Sequence, residues 1–443
     1  MESFERWLDR EYRYAGTAML KSISPTDIIK TRPGFAQTIR PRPGAIVASP
    51  VLAAYDPDPD YFFHWHRDSA VVIDALRLLF EDNSVGPEAL THLADFVHFN
   101  TSLRNLDGRT LAASPSWRAN VAGDFIKYLR DDLELAQVHG EAVVAETRVN
   151  PDGTLDISKW ARPQHDGPPL RALALLRWVR GVSLDDALRS EIAALIRADL
   201  GFTFRHWREP SFDIWEEEQG LHYYTLRVSA AALSEGASWL QELGETTQAQ
   251  SCRVEGEKIL RALDDFWLES EGHYRSRTLP SGARSAKDPD IAVMLAAIHA
   301  DDGKGNAHTV RDPRMRATLA RLEALFDATY PINRNRSAGT GPAMGRYAGD
   351  LYYSGGAWYV STLGAAEFCF RAAVGADDAR AWVERGDAFL ATVRAFTPAS
   401  GELSEQFDQR SGAQTSAKHL AWSYAALISC VAARRHLAGA LGS

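Results

Sequence analysis

In the stretch FDIWEEEQG, residues 212–220, three carboxylates, Glu216, Glu217 and Glu218, follow Trp215 directly. A second acidic group, Glu402, Glu405 and Asp408, lies far downstream in GELSEQFDQR. Two carboxyl groups on opposite sides of one carbon can cleave a glycosidic bond with inversion. One protonates the leaving oxygen, the other draws a proton from water, and the two stand roughly 6.5–9.5 Å apart. They need not be neighbours in sequence, provided loops at one end of a fold bring them together. Residue types alone leave open which acid of each group would serve. Three acids at a helix start would also favour the helix dipole, a structural role that competes with the catalytic one.

Two further stretches mix aromatic and charged residues. PDYFFHWHRDSA, residues 59–70, sets Tyr61, Phe63 and Trp65 beside the pair Arg67–Asp68. Such a pair can grip neighbouring sugar hydroxyls, one side chain donating and the other accepting. Asp68 is also the expected N-cap of the helix that follows. KWARPQHDGPPLRAL, residues 159–173, gathers Trp160, Arg162, Gln164, Asp166 and Arg171 ahead of a helix whose prolines suit its first turn. The chain holds 12 Trp, 14 Tyr and 18 Phe, rings that suit a core and also the C–H face of a pyranose. None of the histidines has H-E-x-x-H spacing, and G-x-G-x-x-G, P-loop and G-x-S-x-G patterns are missing. No metal and no cofactor is expected.

Helices must position these residues. Apolar periodicity of 3.6 predicts twelve of them, over 68–81, 86–103, 120–137, 166–181, 183–198, 221–243, 246–267, 288–299, 313–328, 356–373, 377–395 and 416–437. Every second connection is long and rich in Trp, Tyr, Gly and acids: 50–67, 138–165, 199–220, 268–287, 329–355 and 396–415. Alternating long and short connections suit helices wound in and out of a closed double ring, with the long loops at one end. No period of 33–47 residues supports a solenoid. The 443 residues, 45% apolar and 24% charged, suit a soluble protein with a large core, and a net charge of −9 argues against nucleic acid or an anionic membrane as partner. Cys252, Cys369 and Cys430 sit in helical settings as small buried hydrophobes. The charged start MESFERWLDREYRYAG carries no apolar leader, which predicts a cytoplasmic protein; a chain trimmed of a leader would be secreted or periplasmic.

The stretches PDYFFHWHRDSA, KWARPQHDGPPLRA, FDIWEEEQGLHYYT, AKDPDIAVMLAAIH, GRYAGDLYYSGGAWY and LSEQFDQRSGAQTSAKHLAWSYAAL resemble, in order, segments of the glucoamylases of glycoside hydrolase family 15. The resemblance spans residues 59–427, and ESFERWLDREYRYAGTAML and PGAIVASP resemble the start of that family's catalytic domain. It implies an all-α (α/α)6 barrel of six inner and six outer helices. Residues 1–443 would form a single catalytic domain, 1–55 being an N-terminal helix and arm packed on it, without a starch-binding module or an N-terminal β-sandwich. It further implies an inverting, exo-acting hydrolase that releases β-glucose from oligosaccharides. Glu216 matches the general acid, Glu405 the general base and Glu217 a substrate-contacting neighbour, and Glu218 is left as a solvated residue. Tyr61, Trp65, Arg67, Asp68, Trp160, Trp215, Arg346, Asp350 and Trp358 are implied to bind substrate.

The sequence also departs from the family pattern. Ala348, Gly349, Ser354, Gly356 and Ala357 stand where Pro, Glu, Gly, Asn and Pro are common, on a loop that serves the aglycone side. His64 and His66 replace threonines, and His165 an arginine. A small α-1,4-linked oligosaccharide is the expected substrate. Alternatives are α-1,6 linkages (isomaltose or dextran), trehalose, or a non-catalytic sugar-binding barrel, the last opposed by the intact carboxylate pair. A monomer is expected.

Overall fold

The computed structural model describes residues 2–54, 57–305 and 307–441; Tyr55 and Asp56, at the end of the expected arm and within the first long connection, lie outside the described residues. Twelve long helices order the described residues. They are α1 (Phe4–Leu20), α2 (His66–Glu81), α3 (Glu88–Leu103), α4 (Gly167–Gly181), α5 (Asp186–His206), α6 (Tyr223–Glu242), α7 (Thr246–Leu263), α8 (Ala292–His299), α9 (Pro313–Thr329), α10 (Tyr359–Ala373), α11 (Ala379–Phe396) and α12 (Ala421–Leu441).

The even-numbered helices form the inner ring. Each packs on the next, and α12 closes the circle against α2. The odd-numbered helices lie outside, α7 on α6, α11 on α10, α5 on α4 and α1 on α12. This is the (α/α)6 barrel. Inner helices are packed on more than one side and bury wide faces; in α8 every residue from Ala292 to Ile298 is buried. Outer helices bury a stripe; α7 buries Ala249, Cys252, Gly256, Ile259 and Leu263, the spacing of one helical face. Glycine permits the closest helix contacts, as at Gly236, where a Cβ would stand 2.5 Å from Leu200 Cδ1. The three cysteines are free and buried, on α7, α10 and α12.

One expected barrel helix is replaced by another. Residues 120–137 form a 3-10 turn at Gly123–Tyr128 and a five-residue helix at Asp132–Ala136. The twelfth place belongs to α1, which is an outer barrel helix and not an appendage. The apolar spacing read as helical is still used, because Val121 and Leu129 share a small core with Phe35 and Ile157, and Phe125 packs against it. The backbone, however, pairs with the extended segment 157–159: Lys159 N–H bonds Tyr128 O at 2.7 Å, and Arg130 N–H bonds Ile157 O at 3.0 Å. Tertiary pairing overrides local periodicity here.

The connections preceding the inner helices meet at one end, joined by short antiparallel pairs. His64–Trp65 pairs with Arg148–Val149, Gln219–His222 with both Ser211–Phe212 and Arg277–Thr278, and Ala357–Trp358 with Gln406–Phe407. Among the described residues no helix is long and apolar enough to cross a membrane.

Candidate active site

At that end lies a pocket of about 280 Å³, into which face Tyr61, Trp65, Arg67, Asp68, Trp160, Trp215, Glu216, Glu217, Arg346, Trp358 and Glu405. Every expected site residue is therefore in the pocket wall except Asp350, which stands behind Arg346.

Glu216 sits on the turn before the strand that leads into α6. Its φ of +65° is in the left-handed region, which L-residues with a full side chain seldom occupy. The turn is fixed by Glu216 N–H to Asp213 O at 2.9 Å, and by Glu217 N–H to the Asp213 carboxylate at 2.7 Å. The Glu216 carboxylate receives nitrogen donors only. Trp65 Nε1–H reaches Oε1 at 2.7 Å, the Arg67 guanidinium reaches Oε1 at 3.2 Å, and Trp160 Nε1–H reaches Oε2. The side chain is 13% exposed, facing the pocket.

Its two neighbours are engaged elsewhere. Glu217 takes Arg346 at 3.0 Å, Lys287 Nζ at 2.7 Å and the Tyr347 hydroxyl. Glu218 is not merely solvated: Arg277 reaches it at 3.0 Å and Ser285 at 2.7 Å. Arg277 also binds Asp213 and Asp290, so one buried guanidinium holds the floor of the whole turn. Trp215 is locked from below by donating to both Asp290 oxygens at 3.0 Å.

Arg67 and Asp68 open α2, which begins at His66, with Trp65 at the N-cap. Asp68 is thus not the cap. Its Oδ2 accepts no hydrogen bond and lies 3.4 Å from Arg67, and burial pushes its carboxyl up to about 6. Arg67 is aimed by Gln164 at 3.0 Å and Asp166 at 3.2 Å. Asp166, at the N-cap of α4, makes no side-chain cap bond and serves Arg67 instead. Arg346 is held by both Asp350 oxygens at 2.7 and 2.6 Å, and stands 4.8 Å from the Trp358 ring centre and 5.4 Å from that of Trp215.

Glu405 comes from the connection before α12. It is 4% exposed, and its partners are hydroxyls: Ser416, and Tyr61 at 3.2 Å, which in turn meets Tyr352 at 2.7 Å. Burial, only partly offset by the Ser416 hydroxyl, Arg346 and Tyr61, pushes the carboxyl up to about 7. Tyr61 packs on Trp65 at 5.2 Å between ring centres, so Tyr61 and Trp65 link the two carboxylates.

Arg171 and Arg162 stand outside the pocket. Arg171 pairs with Asp199 at 2.6 Å and Asn100 at 2.7 Å, tying α4 to α5 and α3. Arg162 joins Glu146 and Asp156 at 2.8 Å each, in a network ending at Arg148, which lies 3.6 Å from the Trp160 ring centre. His64, beside Trp65, is driven by burial down to about 3 and is neutral. Sequence reasoning missed Tyr352, Trp422, Ser416, Tyr347 and Lys287. All five lie in stretches already quoted, and only folding shows which way they face.

A double ring of helices, with a pocket at one end bearing carboxylates from separate connections amid polar and aromatic groups, defines an (α/α)6 glycoside hydrolase. The family model described as "Glycosyl hydrolases family 15" matches residues 32–104, 145–384 and 375–432. The chain belongs to that family. It is 29% identical over 439 residues to a glucoamylase of Neurospora crassa, covering 88% of this chain and 63% of the length of that one. It is 27% identical to a probable glucoamylase of Schizosaccharomyces pombe, covering 99% and 94%. The solved structure of Hormoconis resinae glucoamylase superposes with a TM-score of 0.78 at 25% identity, over 98% of this chain and 74% of that one.

Proposed function

We propose that the protein is an exo-acting, inverting α-glucoside hydrolase that releases β-D-glucose from the non-reducing ends of α-1,4-linked gluco-oligosaccharides. The observation that carries this reading is that Glu216 and Glu405, brought by separate connections, face one pocket and stand in the two stretches that resemble the family's acid and base motifs. Arg67 and Asp68, both in the pocket wall, grip hydroxyls of the terminal glucose, Arg67 donating and the Asp68 carboxylate accepting. Trp65, Trp215 and Trp358 present apolar faces to the ring. Glu216, as general acid, gives its proton to the glycosidic oxygen. Glu405, as general base, takes a proton from the water that attacks the anomeric carbon from the other side. A pocket admits one chain end, which makes the action exo. Glu217 and Arg346, paired at the pocket wall, face the next sugar.

A second reading, cleavage of α-1,6 linkages or trehalose, is favoured by the loop before α10. Ala348 and Gly349 bring no carboxylate there, and Glu217 is bound by Lys287 and Tyr347 instead. Proton NMR time courses with maltose, isomaltose and trehalose separate the readings. β-Glucose appearing before mutarotation from maltose is expected. α-Glucose as first product would overturn inversion, and faster release from isomaltose or trehalose would install the second reading.

A further inference from the structure

The two indoles that hold Glu216 share one support. Trp65 Nε1–H donates to Oε1 at 2.7 Å and Trp160 Nε1–H to Oε2, so each carboxylate oxygen has its own tryptophan. The two rings stand edge to face, 6.2 Å between centres. Against both lies Arg148, whose guanidinium carbon is 4.8 Å from the Trp65 ring centre and 3.6 Å from that of Trp160. Arg148 is 2% exposed and forms no part of the pocket wall. Its place follows from the backbone. In the antiparallel pair of His64–Trp65 with Arg148–Val149, Trp65 and Arg148 are direct partners, which puts their side chains on one face.

A buried guanidinium needs a counter-charge, and this one is supplied away from the pocket. Asp156 accepts from Arg148 at 2.9 Å and from Arg162 at 2.8 Å, and the Ser158 hydroxyl accepts from Arg148 at 3.2 Å. Arg162 and Arg130 both reach Glu146 at 2.8 Å. Hydrogen bonds made from the edge of the guanidinium leave its flat faces to the rings. Phe63 completes the set, 4.0 Å from Arg148 and 3.8 Å from Arg32, which Asp60 holds at 2.7 Å. A cation against the face of an indole draws electron density from the ring and makes its N–H a stronger donor. Here one charge acts on both donors of one carboxylate, and its contacts fix the planes in which they point.

We propose that Arg148 is a positioning residue for the acid. By clamping Trp65 and Trp160 it aims both indole N–H groups at the Glu216 carboxylate and so fixes the site from which the proton reaches the leaving oxygen. The inference rests on the reading of Glu216 as general acid and deepens it.

The test compares two substrates, maltose, whose leaving group needs a proton, and α-glucosyl fluoride, whose leaving group needs little. Arg148→Met fills the space without the charge. Its kcat on maltose is expected to fall about ten-fold with KM little changed, while its kcat on the fluoride stays within about two-fold of the wild type. Arg148→Lys keeps the charge and a partner for Asp156 but loses the flat fork. It is expected to show the same selective loss at about three-fold, and it carries the test if Arg148→Met does not fold. Equal losses on both substrates would mark a general disturbance of the pocket and overturn the positioning role, as would wild-type rates on both. Glu216→Gln in the same assays separates the two readings. If the fluoride does not rescue it, the acid assignment fails. If the fluoride does rescue it and the Arg148 variants show no selectivity, the acid assignment stands and the role of Arg148 falls.

Discussion

Glu216 and Glu405 are the same residue type in one pocket, held by unlike surroundings. Glu216 stands on a strained turn, partly open, ringed by indole and guanidinium nitrogens that can only donate. Glu405 is buried, and its partners are hydroxyls that can either donate or accept. Burial also raises its carboxyl to about 7. The difference teaches that two carboxylates facing one pocket acquire unlike shells from the connections that carry them.

The strongest way to break the comparison is to remove each acid in turn. Glu216→Gln and Glu405→Gln should each lower kcat on a natural oligosaccharide by about 10²–10⁴-fold. On α-glucosyl fluoride, whose leaving group needs little protonation, Glu216→Gln should recover much of its rate and Glu405→Gln should not. Equal recovery in both would mean that the roles are misassigned.

A second test uses protons. Folding raises the Glu405 carboxyl from 4.5 to about 7, so the native state holds this proton more tightly than the unfolded chain does. That stabilisation is complete below pH 4.5 and is lost as pH rises through about 7. Glu405→Gln, which cannot ionise, should therefore gain stability over the wild type as pH rises across this window, by up to about 3 kcal/mol. Denaturant titrations at pH 4.5 and pH 8 give the gap, and one that does not grow contradicts the raised carboxyl. The same ionisation places the acid limb of kcat/KM near pH 7, because only the ionised form can act as base.

The smallest effect probes the donors around Glu216. Trp160→Phe keeps a ring on Arg148 but deletes the indole N–H, and kcat should fall about ten-fold, the value of one hydrogen bond to a charged group. Tyr61→Phe, deleting a neutral hydroxyl at Glu405, should cost less. A reversed order would show that the shell around Glu405 is the more demanding one.

Much of this was readable in the sequence. The barrel helices announce themselves because each buries a wide apolar face, and the aromatic-acidic connections between them were visible as candidates, which the fold gathers around one pocket. The misreading of 120–137 has a physical cause: Val121, Phe125 and Leu129 recur at four-residue intervals, and nothing local reveals that the backbone of Tyr128 and Arg130 is claimed by residues 157–159. Asp68 has the same lesson on a smaller scale, since a capping residue and a pocket-facing carboxylate look alike until the helix is seen to start at His66. The hydroxyl of Ser416 on Glu405, and the guanidinium of Arg277 beneath three acids, join residues from separate connections or opposite limbs of a loop, and no periodicity reports them.

The direction of the inner ring has its own consequence. The six inner helices begin at His66, Gly167, Tyr223, Ala292, Tyr359 and Ala421, all at the pocket end. Each therefore turns the positive end of its dipole, worth about half a positive charge, toward a pocket that holds Asp68, Glu216, Glu217 and Glu405. Six such ends give a fixed background potential favourable to negative charge, built from backbone alone. Side chains in the connections can then change from one barrel to another without removing it. The same ring wound in reverse would present carbonyl ends to those acids.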